Sequence, residues 1–330
     1  LSLKRKRRLW DAFRSRHALM RVRDRTREIG AEDILCVMVV RNEAERLPHF
    51  LDYHRALGVG HFLVVDNDST DGTGALLAAQ TDVSLWLAKT SYKASRFGVD
   101  WTNWLLQKYG SGHWCLTLDA DELFAFPHMD SQSLKGLCDH LKTQDTAAFG
   151  VVMMDLFPQT HLGQQNYAPG QNPLDVLPFI DPLPLRIQRQ QPMDNLWVQG
   201  GPRDRVLFQD DPRRAPTLNK TPLVFWKRGY AYVNSTHAML PRELNQVYNV
   251  DGQLLLSGAL LHTKFLPSIL ERSKEERHRG EHFSNGALYD SYYEALSEGP
   301  IFWYEKARKY EGRRRLEELG FLSRGDWHLK

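Results

Sequence analysis

The sequence predicts an α/β protein with a mainly parallel sheet, preceded by a basic helix and followed by a helical extension. Two observations predict it. Continuous apolar, β-branched runs, "ILCVMVV" at 34–40, "FLVV" at 62–65, "VSLWLA" at 83–88 and "WCLTL" at 114–118, alternate with stretches of helical character. Such unbroken runs are strands covered on both faces, and their alternation with helices is what crossover-connected parallel strands require. Polar loops bearing acids then follow three of the runs: Asn42 and Glu43; Asp66, Asn67, Asp68 and Asp71; Asp119, Asp121 and Glu122. In a parallel sheet these loops end on one edge, where ligands of α/β proteins bind.

Taken in order, residues 2–28 read as a basic helix with an interrupted apolar stripe of Leu3, Trp10, Phe13, Leu19, Met20 and Val22. Residues 1–28 hold eleven Lys or Arg against three acids, a net +8 in a chain whose total is +3, so the remainder carries −5. That segment suits an anionic membrane surface or a solvated packing arm; no nucleic-acid module accompanies it, so nucleic acid is not an expected partner. The first strand is followed by the polar break "RNEAER" and a helix over "RLPHFLDYHRALG". A second strand, a Gly-containing loop and a helix from about Thr73 come next, then the third strand, a helix carrying Trp101, Trp104, Leu105 and Leu106, and the fourth strand. "FGVVMMDLF" is strand-like, residues 158–222 are Pro-rich and loop-like, and "VFWKRGYAYVNSTHAML" and "QLLLSGALLHTKF" restore strand character. Residues 267–318 read as mostly helical. The expected organisation is a basic arm at 1–30, one domain at 31–265 and a helical extension at 266–330.

Composition places the chain among ordinary globular proteins, with 42% hydrophobic and 25% charged residues and no apolar run of the ~18–20 residues that cross a bilayer. Cys36, Cys115 and Cys138 are odd in number and far apart, which fits buried, reduced thiols and a cytoplasmic location. The chain opens without Met or a signal-peptide pattern, as expected if a few residues precede Leu1.

Asp and Asn in a loop are by default caps or turn residues. That reading serves "DNDSTDGT" but not "LDADEL", because capping employs one carboxylate and three stand here. Two aspartates flanking Ala120 at a strand end are the oxygen ligands that Mg²⁺ or Mn²⁺ takes when it also binds substrate phosphates.

"VMVVRNEAERLPHFLDYHRALGVGHFLVVDNDSTDGT" followed some 50 residues later by "WCLTLDADELF" resembles the family 2 glycosyltransferases of the GT-A fold, in the bacterial branch with an "RNE" first loop and a "DNxSTDGT" second loop. The likeness is strong over residues 33 to about 126 and loose beyond. It implies a Rossmann-like nucleotide-diphospho-sugar transferase, with 31–130 as the nucleotide-binding half and 150–265 as the acceptor half. Arg41, Asn42 and Glu43 would lie by the base and ribose, and Asp66 would contact the base. Asp119 and Asp121 would form the DxD pair, Asp121 as direct metal ligand and Asp119 nearer the ribose and the metal's waters. The chain departs from many members in reading Asp66, Asn67 and Asp68 where they have two aspartates and a glycine. The implied reaction moves a sugar from a nucleotide donor, a UDP-sugar above all, to a glycan or lipid-linked acceptor with inversion, in surface polysaccharide or glycolipid assembly on the inner membrane face. An inverting transferase needs a general base, for which Asp155 and Asp204 are alternatives. Downstream, Arg203, Arg205, Lys220 and Lys264 offer cations to a phosphate or carboxylate. His262 is a candidate third metal ligand, because GT-A enzymes often complete the site with a C-terminal histidine, whereas His237 is by default a hydrogen-bonded structural residue. "RGEHF" and Tyr289, Tyr292, Tyr293, Trp303 and Tyr304 would line an acceptor groove or pack a helical subdomain. A nucleotidyltransferase and a non-catalytic binding protein are the competing readings. Absence of glycine from "RNEAERLPHF" counts against the first, and intact Asp119 and Asp121 against the second.

Overall fold

The computed structural model describes residues 1–182, 184–247, 255–279 and 286–329, with side chains for all of these except 276–279 and 286–291. It is an α/β fold on one large mixed sheet. The labelled strands are β1 (Met20–Arg23), β2 (Ile34–Val40), β3 (Val59–Asp66), β4 (Val83–Leu87), β5 (Trp114–Thr117), β6 (Glu122–Ala125) and β7 (Ala148–Asp155). Two later strands, Asn219–Phe225 and Gly258–His262, complete the sheet. Across it the order is β1, β4, β3, β2, β5, Asn219–Phe225, β7, Gly258–His262, β6. Strands β2, β3, β4 and β5 pair in parallel, as do β7 and Gly258–His262, while Asn219–Phe225 runs against both its neighbours. All six parallel members therefore point one way, and β1, β6 and Asn219–Phe225 the other. The C-terminal ends of the six and the N-terminal ends of Asn219–Phe225 and β6 consequently share one edge.

Local chemistry explains the elements. Strands β2 and β3 are buried along nearly their whole length, as their unbroken apolar runs require. Helix α1 spans Ser2–Ser15, and α2 (Leu47–Leu57) buries Leu47, Phe50, Leu51, His54 and Leu57, the three- and four-residue spacing of one helical face. Proline lies in the first turn of α2, where no N–H is needed, and Gly58 at φ +112° ends it in the left-handed region. Helices α3 (Thr73–Ala79) and α4 (Val99–Leu105) follow β3 and precede β5. Cys36, Cys115 and Cys138 are buried free thiols, and burial raises the pKa of each.

The structure departs from expectation at four places. The basic segment is helical only to Ser15; after a turn, Met20–Arg23 adds β1 antiparallel to the sheet edge at β4. The apolar residues after Asp121 form a separate strand, β6, which crosses to the far edge and pairs with Gly258–His262. A strand also runs through Pro222 in the Pro-rich segment, and a register shift between Lys220 and Leu223 accommodates the missing N–H. In the C-terminal part, the helices Ile269–Arg279, Gly286–Ser297 and Arg313–Glu318 are interrupted by extended chain, including Arg308–Lys309 paired with Phe179–Ile180. Residues 280–283 of "RGEHF" lie outside the described residues.

His54 ties α2 to β6. Its Nδ1–H donates to the Phe50 carbonyl at 2.8 Å, and its Nε2 accepts from the Phe124 N–H at 3.4 Å, a pairing available only to the neutral ring. Burial drives its pKa down to about 3. A depressed folded-state pKa means that the stabilisation is complete above the unfolded value near 6.5 and is lost as pH falls toward 3, at about 1.4 kcal/mol per pH unit. We expect the stability gap between wild type and His54→Gln, measured by urea unfolding, to narrow by that slope between pH 6.5 and 4. A gap independent of pH would contradict the assignment.

Candidate functional site

The loop after β2 and the loop after β3 are built against each other. Arg41 Nη1 donates to the carbonyls of Asn67 and Asp68 at 2.6 and 2.7 Å. Asn42, at φ +52°, receives the Thr70 N–H on its Oδ1 at 2.8 Å and donates its own N–H to Ser69 Oγ. The Glu43 N–H donates to Thr73 Oγ1, and the Ala44 N–H to Asp71 Oδ2. Asp66 Oδ1 accepts from the N–H and hydroxyl of Ser69, and a Cβ at Gly74 would come within 2.9 Å of Asp66 Oδ2. Thus Ser69, Thr70, Asp71 and Thr73 hold the first loop in place, and a glycine gives the Asp66 carboxylate room.

Glu43 carries a further device. Both its oxygens receive Arg272 of the helix Ile269–Arg279, at 2.6 and 2.9 Å, and Oε2 also receives Arg46 at 3.0 Å. Arg272 donates as well to the Asn42 carbonyl, and Arg46 to the Lys264 carbonyl at 3.3 Å. Arg46 and Arg272 were not foreseen: Arg46 sits within "RNEAER", but nothing local in the sequence ties residue 272 to residue 43.

The three acids after β5 divide between two cations: Asp119 and Glu122 share Lys220, and Asp121 meets His262. Lys220, at the start of Asn219–Phe225, contacts Asp119 Oδ2 at 2.9 Å and Glu122 Oε1. Glu122 is buried, and burial pushes its pKa up to about 7 against the pull of Lys220. Burial opposes the Lys220 ammonium too, but Asp119 and Glu122 more than offset it and raise its pKa. Asp121 Oδ2 faces His262 Nε2 at 3.2 Å; on the other side of the ring, Nδ1 lies 2.5 Å from Asp155 Oδ1. Asp155 Oδ2 in turn receives Arg203 Nε at 2.7 Å. Asp155 and His262 end neighbouring strands in register, and His262 is also the register partner of Glu122. Strand order thereby creates an alternating chain of charge, Asp121, His262, Asp155, Arg203. Burial disfavours the His262 imidazolium, but Asp121 and Asp155 reverse that and raise its pKa. Burial likewise works against the Asp155 carboxylate, yet Arg203 and His262 bring its pKa down to about 2.

These groups surround a cavity of about 360 Å³ at the shared edge, within the size range of small-molecule sites. Arg41, Asn42, Glu43, Asp119, Asp121, Arg203, Lys220, His262 and Lys264 all contribute to its walls, with Tyr92, Phe97, Tyr232 and Tyr293 as aromatic surfaces. Arg203 Nη2 is buried without a hydrogen-bond partner among the described residues. Four predicted residues lie off these walls. Asp66 is enclosed in its own turn, and Asp155 stands behind His262 and Arg203. Asp204 pairs with Arg186 at 2.8 and 2.6 Å; Arg205 pairs with Asp181 at 2.9 Å and stacks on Tyr304. His237 reaches the wall while its Nδ1–H donates to the Asn219 carbonyl at 2.6 Å, and burial lowers its pKa to about 4. Of the C-terminal aromatics, Tyr293 lines the cavity, Tyr292 stacks on Phe208, Trp303 packs on the core, and the Tyr304 hydroxyl donates to Asp181; the Tyr289 side chain lies outside the described residues.

Among the described residues no group of three or more His, Cys, Asp or Glu stands ready to enclose a metal. Asp121 and His262 nevertheless make a two-residue donor set, an oxygen and an imidazole nitrogen 3.2 Å apart, with Asp155 orienting the far side of the ring. That arrangement fits a divalent cation that takes its other ligands from water and from substrate phosphates. No protein-family model matches the chain, and no curated protein matches it.

Proposed function

We propose that the chain is a metal-dependent glycosyltransferase of the GT-A type, transferring a sugar from a nucleotide donor, a UDP-sugar in the first instance, to a glycan or lipid-linked acceptor with inversion. One observation carries the reading: Asp119 and Asp121, at the carboxyl end of β5, meet the "RNE" loop, His262, Lys264 and Arg203 around one cavity. The aromatic faces of Tyr92 and Phe97 suit a nucleobase, and Arg41 and Asn42 stand on the same wall. Arg203, whose buried Nη2 has no hydrogen-bond partner among the described residues, and Lys264 suit the diphosphate. Mg²⁺ or Mn²⁺ would be held by Asp121 and His262, with Asp119 beside them, and when bound it would stabilise the negative charge that develops on the leaving diphosphate. Lys220 keeps Asp119 oriented while neutralising Glu122. Asp155 positions His262 and Arg203 from behind; of the two base candidates it is the one connected to the site, since Asp204 is paired with Arg186.

Thermal shift with UDP, UDP-sugars and other nucleoside diphosphates, with and without Mn²⁺, tests this reading. A ligand at a hundredfold excess over its Kd adds about 2.7 kcal/mol to apparent stability. The expected result is a rise of about 4 °C with a nucleoside diphosphate and Mn²⁺ together, and slow Mn²⁺-dependent hydrolysis of the matching sugar nucleotide. Silence toward every nucleoside diphosphate, or release of pyrophosphate from a nucleoside triphosphate and a sugar phosphate, would overturn it.

A further inference from the structure

Away from the cavity, the N-terminal segment presents a face that the core leaves uncovered. Leu3, Lys6, Arg7, Trp10, Phe13 and Arg14 share one side of α1, opposite the buried Ala12 that seats the helix. Leu3 is 82% exposed, Trp10 58% and Phe13 42%. Met20 and Val22 of β1 are exposed in the same segment, with Arg21 and Arg23 alternating between them. The helix's one acid, Asp11, lies at the border of this face, held by Arg96 at 2.5 Å and Arg8 at 3.4 Å and 4.0 Å from Arg7. Arg96 also pairs with Asp100 at the start of α4, so α1 is fastened in a fixed orientation. Phe13 stacks with Trp10 at 5.8 Å and meets Trp104 edge-on at 5.9 Å, which fixes the stripe's central rings.

We propose that this face docks on an anionic lipid bilayer, with Leu3, Trp10 and Phe13 entering the interface and the surrounding Lys and Arg engaging acidic headgroups. Charge decides among occupants. A second copy of the chain would set one +8 segment against another, which like-charge repulsion opposes. Nucleic acid would match the charge but gives exposed aliphatic residues such as Leu3, Met20 and Val22 nothing to enter. An acidic bilayer supplies negative charge and apolar depth together, the combination that an amphipathic basic helix with a central tryptophan uses. Among the described residues no helix is long and apolar enough to cross a membrane, so attachment through this face is to the surface.

The test is co-sedimentation of the full chain with vesicles of phosphatidylcholine alone and with about one quarter phosphatidylglycerol, at low salt and at about 0.5 M salt. The expected result is binding to the acidic vesicles only, weakened by salt. Leu3→Glu/Trp10→Glu and, separately, Lys6→Ser/Arg7→Ser/Arg14→Ser should each lower the partition constant about tenfold or more. Both variants alter exposed positions, and unchanged thermal melting will establish that they fold. The proposal is overturned by equal binding to neutral vesicles, by acidic-vesicle binding that neither variant weakens, by duplex DNA competing the protein off the vesicles through the same residues, or by these substitutions dissociating a dimer in sedimentation velocity. None of the substituted residues lines the cavity, so sugar-nucleotide hydrolysis in solution should be the same in both variants, and the outcome is independent of the proposed enzymatic reaction.

Discussion

Asp121→Ala is expected to lower Mn²⁺-dependent turnover of the donor by about three orders of magnitude, the scale of losing electrostatic stabilisation of a leaving group. Asp121 is the carboxylate that faces His262 Nε2 across 3.2 Å, so the two can serve one cation. Its backbone has a separate duty, since the Asp121 carbonyl accepts from the N–H and hydroxyl of Thr263 at 2.7 and 3.0 Å, and alanine keeps that bond. The fold should therefore persist with a small change in Tm. The same variant should lose the Mn²⁺-dependent part of the thermal shift given by a nucleoside diphosphate while keeping any metal-independent part. Wild-type turnover in Asp121→Ala, or an undiminished Mn²⁺ effect on melting, would remove Asp121 from the site.

Lys220→Met is expected to destabilise the protein by about 3 kcal/mol, because it leaves the Glu122 carboxyl buried without its cation. Proton uptake by Glu122, whose pKa burial already pushes up to about 7, limits the cost. Asp119 adds little, since its side chain is 55% exposed and returns to water. The companion change distinguishes this from simple loss of packing. Lys220→Met combined with Glu122→Gln should recover about 2 kcal/mol relative to the sum of the single variants in urea unfolding. Strict additivity would mean that the pair is not coupled and that Lys220 acts only as a wall of the cavity.

Much of the architecture was legible in sequence because it depends on neighbours in the chain. The strands of the N-terminal half announce themselves as unbroken apolar runs, and α2 by its spacing of Leu47, Phe50, Leu51 and His54. Once parallel pairing of β2, β3 and β5 is granted, their three acidic loops must share an edge, as they do. What the local pattern misread has physical causes. "LTLDADELF" looks like one strand running into charge, but the chain turns at Ala120 and Asp121 and sends Glu122–Ala125 to the sheet edge away from β1, a displacement with no local signature. Pro222 argued against a strand and was overruled by pairing on both sides, with a register shift taking up its missing donor.

Sequence by itself determined the residue types, the α/β alternation and the edge at which the charged loops emerge. Only the tertiary structure decided which charges answer one another: Lys220 with Asp119 and Glu122, His262 with Asp121 and Asp155, Arg272 with Glu43. Those partners are 101, 98, 107 and 229 residues apart for the Lys220–Asp119, Lys220–Glu122, His262–Asp155 and Arg272–Glu43 contacts. Propensity and periodicity act over a few residues. A buried ion pair is set by strand order and register, which place the start of Asn219–Phe225 beside the end of β5, and His262 between Asp155 and Glu122.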